Sequence, residues 1–433
     1  MERRADVSDA DPTPPTAAID ADRRIADLME VLEVSRRLAA TTEVLPLLEA
    51  IERAALRVLD CERATVFLFD RESDELVSHV ATGVGEIRVP AARGIVGECV
   101  RTNAVINVAD AYNDARFNPE VDRRTGFRTR NMLTFPLVGY DNSIVGVLQV
   151  LNKRHGSFNA WDEELVHTFG SQAGVAVQRQ LLLAEFAEKQ RLQRDLDIAR
   201  EIQQALLPQE PPAVPGFDLA GWSCPADETG GDCFDFLKLD DGHVAITIAD
   251  ATGHGIGPAL VIAECRALFR GAVSLTSDLP RVATLVNRLL CDDLPDNRFV
   301  TAYFGLLRPE AQEIAYISAG HGPILFFDAA GGELRESGAT GLPLGILDDA
   351  LFDAVETIAM RSGDMLLLLT DGFFEWTDPS GEQFGTARVA DVLRRHRALS
   401  AGDIIAQMHR AVLEFAQGTP QKDDLTAVVV KRV

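Results

Sequence analysis

The chain has 433 residues, a formal net charge of −24, and 46% hydrophobic and 25% charged residues. That length suits several domains, each able to bury a core. The acidic excess runs along the whole sequence, which excludes the basic stripe of a nucleic-acid binder and a partnership with an anionic membrane surface. No apolar run reaches the roughly 18 residues of a spanning helix. The opening MERRADVSDADPTPP lacks a secretory apolar region, and the six cysteines show no CxxC spacing. A cytoplasmic protein with reduced thiols is the expectation.

Residues 1–19 are rich in Asp, Pro and Ala without periodicity, which predicts a disordered N-terminus. Residues 20–43 carry Ile25, Leu28, Leu32 and Leu38 at helical spacing, with Ser35 at one step. So narrow a seam predicts a helix that pairs with a second copy. A first domain at 44–180 reads as a helix from Pro46 to Leu59, strands at 63–70, 75–82, 105–110, 131–137 and 144–153, and a helix from Asp162 to Leu183. Asp141-Asn142 and Gly83-Val84-Gly85 supply turns.

Residues 181–210 form a linker helix. Its seam is Leu182 and Phe186, a polar step at Lys189, then Leu192, Leu196, Ala199, Ile202 and Leu206, and Pro208 stops it. Seams on both sides of the first domain predict a parallel homodimer. A second domain at 211–433 has strands at 217–224, 234–240, 243–250, 301–307, 313–320, 323–328, 364–371 and 425–432. Helices are expected at 257–275, 279–291 and 386–416. Hairpin signals such as Asp240-Asp241-Gly242 predict mostly antiparallel sheets covered by helices. The fold class is α+β in two domains, joined by a coiled-coil-like helix.

Four acidic motifs mark the second domain: Gly230-Gly231-Asp232 with Asp235, Asp250-Ala251-Thr252-Gly253-His254-Gly255, Thr370-Asp371-Gly372, and Asp423-Asp424-Leu425-Thr426. Three of them adjoin strongly apolar strands. A carboxylate at the rim of a core costs free energy unless something neutralises it. Several rims converging would make an oxygen-lined site suited to Mg²⁺ or Mn²⁺. Each motif alone is an ordinary turn; four in this order are not.

Residues 190–433 resemble the metal-dependent serine/threonine protein phosphatases, in their bacterial SpoIIE/RsbU-type branch. The matching stretches include AREIQQALLP, GGDCFDF, ADATGHGIGPAL, SAGHGPILF, LLLLTDGFFE and KDDLTAVVV. The resemblance implies an antiparallel β-sandwich between helices. It implies metal ligation by Asp232, Asp250, Asp371 and Asp423, a ligand from the Ala251 carbonyl, and for Asp235 and Asp424 either support of those ligands or a third metal. Two divalent cations would supply the activated water, so no protein nucleophile is needed. Thr252 stands where animal and plant relatives carry a histidine that protonates the leaving group. His254 is either its substitute or a turn residue, and His321 reads as a structural turn.

Residues 44–180 resemble GAF domains of cyclic-nucleotide phosphodiesterases and bacterial adenylyl cyclases, through DARFNPEVDRRTGFRTRNMLTFPL, Asn152-Lys153, Phe158 and Asp162-Glu163. The resemblance implies a Lys153–Asp162 salt bridge and a ligand pocket at Thr65, Ile95, Asn118, Asp122, Thr125, Thr129 and Gln149. Asp and Thr there can read a purine edge and ribose. Asn118, Gln149 and Ala81 depart from the pattern of cyclic-GMP binders. The sensor therefore stands open between cGMP or cAMP as its ligand and a structural or differently liganded role.

The leading expectation is a dimeric phosphoserine/phosphothreonine phosphatase gated by the GAF domain. Its substrate, by resemblance, is a phosphorylated STAS-type anti-anti-sigma factor. A non-catalytic scaffold with an inactive phosphatase fold is the alternative. A cyclic-nucleotide phosphodiesterase fails, because the second domain lacks the clustered histidines of such a metal site.

Overall fold

The computed structural model describes residues 16–81, 87–295 and 297–433. Two expectations, the N-terminal residues 1–15 and the turn at 83–85, lie outside the described residues. Among the described helices none is long and apolar enough to cross a membrane. The chain divides into two compact units, Met1–Arg191 and Leu192–Val433.

The first unit opens with helices α1 (Thr16–Ala39) and α2 (Val44–Val58). Residues 16–19, expected to be disordered, are thus helical. Strands β1 (Cys61–Asp70), β2 (Glu75–Ala81) and β3 (Ile87–Pro90) follow, then α3 (Gly94–Thr102), β4 (Ile106–Val108), α4 (Glu120–Thr125), β5 (Met132–Val138) and β6 (Ile144–Lys153). They build one six-stranded antiparallel sheet in the order β3-β2-β1-β6-β5-β4. Helix α3, which contains Gly94 and Gly97, has no counterpart among the expected elements. A Cβ on Gly97 would lie 2.5 Å from the Ala91 carbonyl, so the glycine serves a close backbone approach. Val31, Val34 and Leu38 of α1 are buried in this unit's core, which removes Leu38 from the expected dimer seam. Ile25, Leu28 and Leu32 remain exposed.

The two helices expected at 162–183 and 181–210 are one 47-residue helix, α5 (Ala160–Leu206). Its last part, from Leu192, belongs to the second unit, where two five-stranded antiparallel sheets pack face to face. One sheet has the order β14 (Glu356–Ala359), β11 (Glu313–Ala319), β10 (Val300–Arg308), β9 (Val244–Ala251), β8 (Asp232–Lys238). The other has the order β13 (Glu333–Ser337), β12 (Ile324–Asp328), β15 (Met365–Leu369), β16 (Leu425–Arg432), β7 (Phe217–Cys224). Helices α6 (Ile256–Leu275) and α7 (Leu279–Asp293) cover the first sheet, and α9 (Gly385–His396) and α10 (Ala401–Ala416) the second; α8 (Gly372–Glu375) is a single turn.

Strand alternation explains the layers. In β15, Met365, Leu367 and Leu369 face the helices while Leu366 and Leu368 face the opposite sheet. Both faces are buried, so the strand reads as an unbroken apolar run rather than an alternating one. Strands β13 and β14 escaped the sequence reading because they are sheet edges with mostly exposed, polar residues. The helix expected at 386–416 is two helices, α9 and α10. The Ser400 hydroxyl caps α10 by accepting from the Asp403 amide at 3.2 Å, which forces the chain out of helix there.

Candidate active site

The same alternation builds the site. Phe234 and Phe236 of β8, and Val244, Ile246 and Ile248 of β9, point between the sheets. Asp232 and Asp250 continue those rows at one end and are paired neighbours across the two strands. From the opposite sheet, Leu366 and Leu368 lead to Thr370, whose hydroxyl donates to Asp232 at 2.8 Å. Val428 and Val430 trace back through Thr426 to Asp424. Asp371 follows Thr370 just past the end of β15, and Asp423 precedes Asp424.

These carboxylates feel one another. Burial, then Asp250 and Asp424, hold the Asp232 carboxyl well above the usual range. Asp250 is pushed up to about 8 by burial and by the charges of Asp371, Asp423 and Asp424, and a hydrogen bond shared with Asp232 acts the other way. Partial burial, Asp423 and Glu375 raise Asp371. Among the described residues no Lys or Arg is a leading influence on these carboxyls. Nor do three His, Cys, Asp or Glu side chains among those residues form a closed group around one point.

The residues fit hard divalent cations. The donors are all oxygens, and their charge is uncompensated. Glycine also leaves room where ligands approach. A Cβ on Gly230 would lie 2.6 Å from Asp424 Oδ2, and one on Gly231 would lie 2.8 Å from the Ala251 carbonyl. Asp424 accepts from the Ala226 amide at 2.7 Å and the Gly231 amide at 2.5 Å. It thus braces the turn that presents Asp232.

Asp235 is a correction. Three residues beyond Asp232, it lies on the opposite face of β8, where Arg266 and Arg270 of α6 hold it at 3.0 and 2.8 Å. Its side chain is 1% exposed. It fastens α6 to the sheet and has no place among the ligands. Asp235→Ala should lower unfolding stability by about 3 kcal/mol, since two guanidiniums lose a buried partner. Urea denaturation measures this, and calorimetric Mn²⁺ affinity should stay unchanged.

The Thr252 hydroxyl is engaged with the Phe299 backbone. His254 is exposed and bonds Asp227 at 2.9 Å through Nδ1. His321 is buried, and burial lowers its pKa to about 4.

In the first unit, Thr65, Ile95, Asn118, Asp122, Thr129 and Gln149 line one cavity of about 490 Å³. The side chains of Thr125 and Ala81 lie outside the described ones. Asp122 accepts from the Thr129 amide at 2.7 Å, the Thr129 hydroxyl at 2.8 Å and the Tyr112 hydroxyl at 3.1 Å. These bonds hold Asp122 in the cavity wall, where it is 6% exposed. The sequence reading missed four arginines that also line the cavity: Arg63, Arg88, Arg93 and Arg116. They are dispersed in sequence and gather only in the fold. Lys153 and Asp162 form a largely buried ion pair.

The family profile of Stage II sporulation protein E (SpoIIE) matches residues 240–433, and that of the GAF domain matches residues 43–177. Phosphoserine phosphatase RsbU of Bacillus subtilis (strain 168) is 25% identical over 244 residues, covering 56% of this chain and 72% of RsbU. The cGMP-specific 3',5'-cyclic phosphodiesterase of Drosophila melanogaster is 38% identical over 120 residues. That match covers 27% of this chain and only 11% of the phosphodiesterase. The SiaA-PP2C domain of Pseudomonas aeruginosa shares the fold, with a TM-score of 0.50 at 24% identity over 57% of this chain and 98% of that domain. The protein is a GAF domain joined by a long helix to a phosphatase domain of the SpoIIE type.

Proposed function

We propose that the second unit hydrolyses phosphoserine or phosphothreonine on a protein, and that the GAF domain regulates it. The observation that carries the reading is the set of uncompensated carboxylates at one end of the sandwich, with glycines opening the approach to them. Asp232, Asp250, Asp371 and Asp423, with the Ala251 carbonyl, would hold Mn²⁺ or Mg²⁺. Bound there, the cations supply an acidified water and screen the phosphoryl charge. The residues' own task is to keep that geometry: Thr370 fixes Asp232, and Asp424 fixes the Gly231 amide. Water attacks phosphorus in line, the P–O bond to the serine or threonine oxygen breaks, and that oxygen takes up a proton.

RsbU is named a phosphoserine phosphatase, and a phosphorylated STAS-type anti-anti-sigma factor is the substrate we infer for this chain. Hydrolysis of p-nitrophenyl phosphate in Mn²⁺, with no hydrolysis of cGMP or cAMP, is the expected result. No turnover of any phosphomonoester would leave the inactive scaffold as the better reading.

The GAF cavity, apolar inside with arginines in its wall, suits an anion with a planar apolar body, and cGMP or cAMP is the ligand we propose. Calorimetric titration should give heat with one of them, and no heat at millimolar ligand would reject both. The route to the active site is α5. Gln203 Nε2 donates to the Gly230 carbonyl at 2.6 Å, and the Gly230 amide donates back to Gln203 Oε1 at 3.0 Å. A rotation or slide of the helix is therefore felt at the turn that presents Asp232. A ligand drives that shift only through unequal affinity for the two states.

Exposed Leu182, Phe186, Leu192 and Ile202 leave the α5 seam open to a second copy in a parallel dimer. Leu196→Glu should weaken the dimer at least tenfold by sedimentation. A monomeric wild-type protein at micromolar concentration would overturn this part.

A further inference from the structure

We infer that Arg298 receives the phosphoryl group of the substrate, an assignment that rests on the phosphatase reading above. Arg298 lies just before β10, on backbone tied to the loop after Asp250. The Thr252 amide donates to the Phe299 carbonyl at 3.1 Å, Val300 pairs with Ala251, and Thr301 pairs with Asp250. Its guanidinium lies against Gly257 in the first turn of α6. A Cβ on Gly257 would come within 2.6 Å of Nη1 and 2.9 Å of Nη2, so the guanidinium lies directly over this turn.

The side chain is half-buried, yet among the described residues it has no ion pair and no hydrogen bond. Other partly buried arginines of this unit are matched: Arg266 and Arg270 with Asp235, Arg308 with Glu313, Arg388 with Glu382. In a chain with 66 acidic and 42 basic residues, carboxylate partners are plentiful. The location is also electrostatically adverse. A cation beside the first turn of a 20-residue helix meets the positive end of the dipole, and that turn has no acidic residue to offset it. As a fold device this arginine makes no sense. As a receptor for an arriving dianion it does, because phosphate oxygens accept from the planar fork in a bidentate way and compensate both the guanidinium and the helix end.

The test compares wild type, Arg298→Ala, Arg298→Gln and Arg298→Lys in Mn²⁺. It reads the KM for p-nitrophenyl phosphate, the inhibition constant of inorganic phosphate, and phosphate affinity by calorimetry. In Arg298→Ala and Arg298→Gln, KM and both phosphate constants should rise roughly tenfold or more. Arg298→Lys should fall between, keeping a charge but losing the fork, while the Mn²⁺ half-saturation of all variants matches wild type. If the alanine variant fails to fold, the glutamine–lysine comparison decides. Wild-type phosphate affinity in a folded, uncharged variant would overturn the assignment. Should wild type show no turnover, the phosphatase reading fails. Calorimetric phosphate binding would still decide for or against Arg298.

Discussion

Asp371→Asn is expected to abolish phosphatase turnover while making the metal-free protein more stable. The two effects have one cause. Asp371 is the largest charge acting on Asp250, whose carboxyl is already lifted to about 8. Removing that charge relieves repulsion in the folded state, so thermal unfolding without metal should move upward. The same carboxylate is needed to hold a divalent cation. Its loss should slow turnover by roughly a thousandfold or more, on the order of 4 kcal/mol of transition-state stabilisation. Rate and melting temperature measured on one preparation check the pair. A variant that is both inactive and destabilised would mean that Asp371 acts through folding.

Gly231→Ala should cost about a hundredfold in rate with the fold intact. Its Cβ would sit 2.8 Å from the Ala251 carbonyl and 3.2 Å from that of Gly253. Both neighbours are backbone, so the strain falls on the position of the loop after Asp250 relative to Asp232. A displacement near an ångström at reacting groups costs about that factor. Circular dichroism and steady-state kinetics distinguish this from unfolding, and an alanine variant with wild-type kinetics would refute the tight-approach role.

Much of this architecture is legible in the amino-acid order itself. Long apolar strands ending in Asp, as in HVAITIAD and DMLLLLTD, announce carboxylates at the rim of a core. The four motifs therefore point to one site even without knowledge of pairing. What failed did so for physical reasons. Asp235 shares a motif with Asp232, but an odd separation along a strand sends its side chain to the helix layer. Ser400 split one expected helix because a cap outweighs an otherwise helical pattern. Gln203 lies within the AREIQQALLP stretch but nothing there shows its partner, and Arg298 carries no sequence signal. Their meaning comes from the neighbours that folding provides, Gly230 and Gly257.

The measurement closest to the central claim is release of inorganic phosphate from a phosphoserine-bearing STAS-type protein. It is made with the full chain stripped by EDTA and then titrated with Mn²⁺. No phosphate in chelator, turnover that rises and saturates with Mn²⁺, and no turnover by Asp232→Asn are the results expected of carboxylates that serve a metal-dependent phosphatase. Undiminished phosphate release in chelator would contradict it.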